Sequence, residues 1–445
     1  MLYEKLFDYQ KAAVDTICVQ PSTALLFDQG TGKTWVTAGI IEKLLHPKAE
    51  YLLIVPLTNI DTTWVKTLSQ FKDLAIFKDF NEYKAYRDGP KLFLTHYEGL
   101  PKFIDKLCRV HWTLIALDES QRIKGRNTQQ SKRAARLKLA DHKVILSGTP
   151  IDKSPIDMWA QFRFVAPEVF GTRWKDFEEE YCYKTGFMGK EIKFRVKKMP
   201  EFLEKLKPYC IRVVKSDVLD LPPMEIILSP VDLLGKQLRI YDEMNSEMIT
   251  SLEGQTLAVD LKITQIAKLQ QICGGFILNE DREVLAIGRA KVRRVTSLIK
   301  TITAPVVIFC KYLEEIEIVA RELSHLKLAI LCGKTKNRAK MIEDFQDGLY
   351  DVIICQIKTG GVGIDLFRSC NVIFYSLTYS FIDYEQALAR VHRHGQTKEV
   401  KIYLIYAKNT IDEAIYEAIL SKKSISDTVL KSLKGVTHGK RKSKS

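Results

Sequence analysis

Ala24-Leu25-Leu26-Phe27-Asp28-Gln29-Gly30-Thr31-Gly32-Lys33-Thr34 runs from a short apolar stretch through a glycine loop to a lysine, and a helical pattern follows from Trp35. This reads as strand, phosphate loop and helix. Glycines let backbone N–H groups close on phosphate oxygens, and the start of the helix adds its positive end. In such a loop Gly30, Thr31 and Gly32 shape the cradle, Lys33 reaches the β and γ phosphates, and Thr34 ligates magnesium. The spacing is the shorter G-x-G-K-T form, because Phe27 stands where the longer motif has glycine. Alone, a plain glycine turn would account for it too.

A second element lies downstream, where the apolar run Leu114-Ile115-Ala116-Leu117 ends in Asp118-Glu119. Acids at the carboxyl end of a buried strand face the cleft of an open α/β sheet. Asp118 is then expected to hold magnesium, and Glu119 to orient or deprotonate the attacking water. Together the two elements point to ATP and Mg2+ as the nucleotide and its ion.

Around them, short apolar runs alternate with helical patterns, which is how parallel strands buried on both faces read. Strands are expected at Ala24–Phe27, Leu52–Val55, Leu92–Thr95, Leu114–Leu117 and Val144–Ser147. A second set follows at Val306–Phe309, Ala329–Leu331, Val352–Cys355, Val372–Tyr375 and Lys401–Leu404, with a helix at Leu313–Leu323. The fold class is therefore α/β, with two lobes built on parallel sheets and helical insertions between them. The expected organisation is a nucleotide-binding lobe over 1–158, an insertion and return segment over 159–225, a linker with a second insertion over 226–290, and a second lobe over 291–430. Leu221-Pro222-Pro223 marks the passage between lobes, since proline lacks the ladder donor and biases its predecessor away from helix.

The 445 residues suffice for two or three domains, and 68 Lys+Arg against 54 Asp+Glu leave a net charge of +14, which favours a polyanionic partner. Six basic residues and no acid fall in 431–445, a segment expected to be a disordered tail. The longest stretch free of Asp, Glu, Lys and Arg, Ser369–Ile382, is too short to span a membrane. Met1–Asp8 lacks a secretory pattern, so a cytoplasmic location is expected. The nine cysteines are scattered, without C-x-x-C, so neither zinc nor a disulfide framework is expected.

The last motif is Gln386-Ala387-Leu388-Ala389-Arg390-Val391-His392-Arg393-His394-Gly395-Gln396. On a helix Gln386, Arg390 and Arg393 share one face, from which the arginines could reach a γ-phosphate. By itself this run also reads as a solvated basic face.

With these motifs in order from Phe7 to about Ile419, the chain resembles the Swi/Snf branch of the superfamily-two helicases, in minimal bacterial or phage-like form. The resemblance implies RecA-like lobes and an ATPase that moves along DNA. Phe7-Asp8-Tyr9-Gln10 resembles the family's adenine-reading segment, which gives Gln10 a nucleotide role. Leu53–Leu57 with Trp64 and Phe71, and Thr95–Glu98, resemble first-lobe DNA-contact motifs, and Leu146–Ile151 the coupling motif. Asp217–Pro223 resembles the segment after the helical insertion. Thr359-Gly360-Gly361-Val362-Gly363-Ile364-Asp365-Leu366 and the run from Gln386 to Gln396 are its most specific matches, and they bring Gly363, Asp365 and Gln386 into the nucleotide site. Three departures stand out: Ser120-Gln121 replaces Ala-His, Tyr379-Ser380-Phe381 replaces Trp-Asn-Pro, and Gln356 stands where threonine is common.

Thr58, Thr95 and Arg122 in the first lobe, and Lys311, Thr335, Lys336, Thr359 and Gly360 in the second, are the expected DNA contacts, because they fall at or just beyond strand ends. None sits on a motif built to read base edges. The expected partner is duplex or branched DNA bound without sequence specificity, by a monomer, in replication, recombination or repair. With no room for bromodomain-like or chromodomain-like segments, naked DNA is expected rather than chromatin. A strand-separating helicase acting on DNA or RNA, or a nucleotide-switched binding module without turnover, are the alternatives.

Overall fold

The computed structural model describes residues 1–186, 191–254, 259–279, 281, 283–302, 305–360 and 364–433. It divides into two units: Met1–Asp220 together with the chain from Lys422, and Leu221–Ser421.

In the first unit the strands are β1 (Ser22–Phe27), β2 (Glu50–Val55), β3 (Ala75–Phe77), β4 (Lys91–His96), β5 (Trp112–Asp118), β6 (Ala140–Leu146), the hairpin β7 (Cys182–Thr185) and β8 (Glu191–Phe194), and β9 (Cys210–Val213). The main sheet has the order β3-β4-β2-β5-β6-β1-β9, and every pairing in it is parallel. Successive residues serve opposite faces: Ala24, Leu26, Leu52, Ile54, Ile115 and Leu117 enter one core, whereas Leu25, Phe27, Leu53, Val55, Leu114 and Ala116 enter the other. A strand buried on both faces has no polar side, and that is why these segments read as unbroken apolar runs. Helices α1 (Asp8–Val19) and α2 (Lys33–Lys43) contribute Val14, Ile17, Val36 and Ile40 to the second of these cores.

The second unit comprises β10 (Met224–Val231), the hairpin β11 (Phe276–Leu278) and β12 (Val284–Ala286), and then β13 (Val306–Cys310), β14 (Leu328–Leu331), β15 (Val352–Gln356), β16 (Asn371–Phe374) and β17 (Val400–Ala407). Its sheet, also parallel, has the order β10-β17-β16-β13-β15-β14. Each of the ten strands expected from the sequence overlaps a strand of these two sheets.

The two intervening stretches are not helical throughout. Helices occur at Asp157–Val165, Trp174–Tyr181, Met199–Leu206, Gly235–Gly254 and Val259–Gly274, but β9 and β10 belong to the main sheets. Both are edge strands, the first only four residues long and the second half-exposed, so neither carries a full apolar run. Pro230 within β10 is tolerated because an edge strand has one side without ladder partners. The basic tail lies outside the described residues from 434 onward. Before it, the helix Ile411–Ser432 brings Val429 and Leu430 into the first unit's core, with Leu433 just beyond.

The first insertion is held by aromatic packing, with Phe170 stacked on Phe202 at 4.8 Å between centroids and Phe177, Tyr181 and Phe194 around them. Phe202 is fully buried. Phe202→Ala is expected to destabilise the first unit by about 3–5 kcal/mol. Equilibrium denaturation followed by tryptophan fluorescence measures this, and a loss below about 1 kcal/mol would contradict the packing.

Candidate active site

In the first sheet β5, β6 and β1 are parallel neighbours, so their carboxyl ends share one edge. That edge carries Asp118-Glu119, Ser147 and the phosphate loop.

Gly30 and Gly32 have φ of 85° and 88°, the left-handed conformation that glycine adopts without strain. At Gly32 a side chain is also excluded by space, since a Cβ there would lie 2.2 Å from Gln10 Nε2. The Gln10 amide donates to Thr31 O at 3.2 Å, its oxygen accepts from Phe7 N at 3.1 Å, and the Tyr9 hydroxyl donates to Thr31 O at 3.0 Å. Gln10 thus shapes the loop directly. Loop and helix α2 leave the N–H groups of Gly30, Gly32, Lys33 and Thr34 without an acceptor among the described residues. The Lys33 ammonium donates to Phe27 O at 2.9 Å and Asp28 O at 3.2 Å. Burial pulls its pKa down, and the charges of Glu119, Asp118 and Asp28 oppose that pull. A cradle of free donors around a part-buried ammonium fits a polyphosphate.

Asp118 is buried, and three groups define it. Trp64, in the π-helical turn Ile60–Val65, donates its indole N–H to Oδ2 at 3.0 Å; Glu119 N donates to Oδ1 at 3.0 Å; and the Tyr97 hydroxyl donates to the main-chain oxygen at 2.7 Å. Burial pushes the Asp118 carboxyl up to about 6 and the Glu119 charge adds to it, whereas the Trp64 indole, Lys33 and Asn59 hold it down. Glu119 adopts φ 51°, a left-handed conformation uncommon outside glycine. The Gln121 amide donates to Glu119 Oε2, and Gln121 Oε1 accepts from Ser147 Oγ at 2.6 Å. Ser147 Oγ in turn accepts from Thr149 N at 3.1 Å. Ser120-Gln121 therefore forms a hydrogen-bonded link between the acidic pair and the loop after β6. Ser120 completes it through Gln161, at 2.8 Å. Two adjacent acids, one buried with a raised pKa, fit a divalent cation, and Thr34 with Asp118 are the residues that would hold it.

The expected DNA-contact residues lie at strand ends, in varied states. Thr58, beyond β2, is exposed; Thr95, inside β4, is buried; Arg122, beyond β5, pairs with Glu98 at 2.8 Å. In the second unit Lys311 N donates to Ser376 Oγ at 2.8 Å, and its ammonium is bonded to Gln270, with burial lowering its pKa. The Thr335 hydroxyl is engaged in the turn after β14, donating to Ile330 O at 3.0 Å, and Lys336 is exposed. Thr359 and Gly360 fall in the short helix Ile357–Gly360. Gly363 lies outside the described residues.

Gln386 and Arg390 share the helix Phe381–Val391, but Arg393 does not continue it. This corrects the expectation of one helical face for all three residues. The backbone leaves the helix at His392, whose ring bonds Pro222 O at 2.9 Å, and Gly395 takes φ 96°. Gln396 anchors the turn by donating to Ser369 O at 2.7 Å and Phe367 O at 2.9 Å. Arg393 pairs with Asp365.

Residues 9–276 match the SNF2-related domain, and residues 290–395 match the helicase conserved C-terminal domain. A Bacillus subtilis (strain 168) protein named for ATP-dependent helicase/translocase activity, YwqA, is 26% identical over 441 residues, covering 92% of this chain and 46% of its own length. A Mycoplasma genitalium protein named as an ATP-dependent helicase, MG018, is 26% identical over 438 residues, covering 94% of this chain and 41% of its own. The chain thus spans less than half the length of these relatives. The solved Sulfolobus solfataricus SWI2/SNF2 ATPase core in complex with dsDNA aligns with 95% of the chain and 92% of its own, at 23% identity and a TM-score of 0.44.

The buried Asp118 carboxyl makes stability depend on pH. Its folded pKa of about 6 exceeds the ordinary 3.8, so the folded state binds this proton more tightly than the unfolded one. Stability from this group is present at low pH and lost as pH rises through about 6. Asp118→Asn is therefore expected to raise the unfolding temperature of the nucleotide-free protein at pH 7.5 by a few degrees, and the gain should vanish as pH falls from 6 towards 4. Thermal scans across that range check it; a gain independent of pH would contradict the assignment.

Proposed function

We propose, from the premise that this chain belongs to the SNF2-related family, that it is a DNA-stimulated ATPase that tracks along duplex or branched DNA without reading sequence. The observation that carries this reading is the shared sheet edge, where a phosphate cradle with unsatisfied donors lies beside the Asp118–Glu119 pair.

The loop N–H groups and Lys33 neutralise the β and γ phosphates, while Gln10 holds the loop in shape. Glu119, held by Gln121, orients the attacking water and takes its proton. Magnesium, when bound through Thr34 and Asp118, would supply positive charge to the phosphate oxygens. Arg390 and Arg393 are assigned to the charge that develops on the transferred phosphoryl group, a role carried over from the family resemblance together with those of Asp365, Gln386 and Gly363.

DNA as the substrate draws support from the net charge of +14 and from the exposed residues beyond strand ends, Thr58 in the first unit and Lys336 in the second. Service at replication forks or in recombination and repair, as a cytoplasmic monomer, is part of the same proposal.

Glu119→Gln is expected to retain nucleotide binding and lose turnover, whereas Lys33→Ala loses both. Arg390→Ala or Arg393→Ala should slow hydrolysis by up to about three orders of magnitude with little change in nucleotide affinity. Phosphate release measured beside binding of a fluorescent ATP analogue reads both quantities. Full turnover in Glu119→Gln would reject its role, and a wild type that binds nucleotide without turnover would favour a binding module.

Affinity for duplex DNA should be the same for unrelated sequences and fall with salt, with a slope of about −0.9 per phosphate neutralised. Titrations at several ionic strengths test this. Removal of residues 434–445 should weaken binding but preserve stimulation of the ATPase by DNA; stimulation that disappears with the tail would refute contact through the strand ends.

A further inference from the structure

Beside the phosphate loop lies an ion pair, between the buried Arg212 and the part-buried Asp28, that none of the motifs predicts. Arg212, on β9, is 8% exposed. Its Nη2 meets Asp28 Oδ1 at 2.5 Å, and its Nη1 donates to Leu26 O at 2.7 Å and Val213 O at 3.2 Å. The other oxygen of Asp28 accepts from Lys215 N at 2.8 Å, and Asp28 N donates to Val213 O at 3.1 Å. The first residue of the phosphate loop is thus clamped on every polar atom by β9 and by Lys215 two residues beyond it, save for its carbonyl. That carbonyl accepts from Lys33 Nζ and from Thr31 Oγ1, at 3.2 and 2.7 Å. One residue, Asp28, joins the guanidinium to the ammonium that serves the nucleotide.

We propose that Arg212 is a positioning residue of the nucleotide site, fixing Asp28 so that the loop and Lys33 are preset for the triphosphate.

The physical reason is the cost of leaving one charge of a largely covered pair without its partner. Without the guanidinium, the Asp28 carboxylate would stand uncompensated beside a polyphosphate site, repelling the ligand and competing for Lys33. The Arg212 charge also belongs to the field around Lys33, where it acts with burial to lower the lysine's proton affinity. Because β9 follows the insertion and pairs with β1 from Ala24 to Phe27, the clamp makes loop geometry depend on how that returning segment is seated. Asp28 cannot move without losing bonds to β9.

The inference rests on the ATPase reading, and the test separates the two. Nucleotide dissociation constants, kcat and KM with saturating duplex DNA, and unfolding temperatures are measured for the full chain and its variants. Arg212→Met is expected to weaken nucleotide binding and raise KM by about tenfold or more, with a smaller fall in kcat. Removing both charges, in Asp28→Asn with Arg212→Met, should restore affinity to within about threefold of wild type, because no buried charge is left unpaired. Arg212→Lys keeps the charge without the fork and should fall between the two. It also serves as the comparison if Arg212→Met does not fold. A variant with lower unfolding temperature but wild-type affinity, or a double variant no better than Arg212→Met, would overturn the positioning role and leave the ATPase reading intact. A wild type that binds no nucleotide would overturn both.

Discussion

Burial of opposite charges at one sheet edge is the constraint on which the rest of the structure depends. Asp118 is buried, with the part-buried Lys33 and Glu119 beside it, so each charge is felt by the others. Such a group is costly unless its neighbours are fixed, and the surrounding structure fixes them. Trp64 is delivered to Asp118 by a π-helical turn, Tyr97 holds the main-chain oxygen of Asp118, and Gln121 holds the Glu119 carboxylate. Parallel pairing of β5, β6 and β1 is what brings these groups to one edge.

Ser120-Gln121 is the clearest departure from the family's acid-acid-Ala-His box, and the structure gives it a physical role. An amide has one donor end and one acceptor end, and here the donor meets Glu119 while the acceptor receives the Ser147 hydroxyl. An imidazole at this place would titrate near neutrality; glutamine does not. The link from the acidic pair to the loop after β6 therefore keeps its hydrogen-bond polarity at any physiological pH.

Side chains assigned by pattern to nucleic acid differ in how the fold engages them. Thr95 is buried and Trp64 serves the acidic pair, whereas Thr58 and Lys336 are exposed at strand ends. A motif names the segment that lies near a ligand, and packing then decides which of its side chains can reach it. Arg122 illustrates the same point, since it lies at a strand end yet is paired with Glu98.

The amino-acid sequence by itself determined the two parallel sheets, because strands buried on both faces must be apolar throughout and so announce themselves without partners. It also determined the phosphate loop and the acidic pair, since both are local: the glycines, lysine and acids act through backbone geometry within a few residues. Tertiary structure alone decided the rest. Arg212 is 184 residues from Asp28, and nothing in the local pattern of Cys210–Val213 distinguishes its arginine from a surface one. The edge strands β9, which is short, and β10, which is half-exposed, were hidden for a related reason, since an edge strand need not carry a long apolar run. Arg393 left the expected helical face because Gly395 and the Gln396 bonds to Phe367 and Ser369 turn the chain there. In each instance the deciding partner is remote in sequence, and only folding brings it within hydrogen-bond reach.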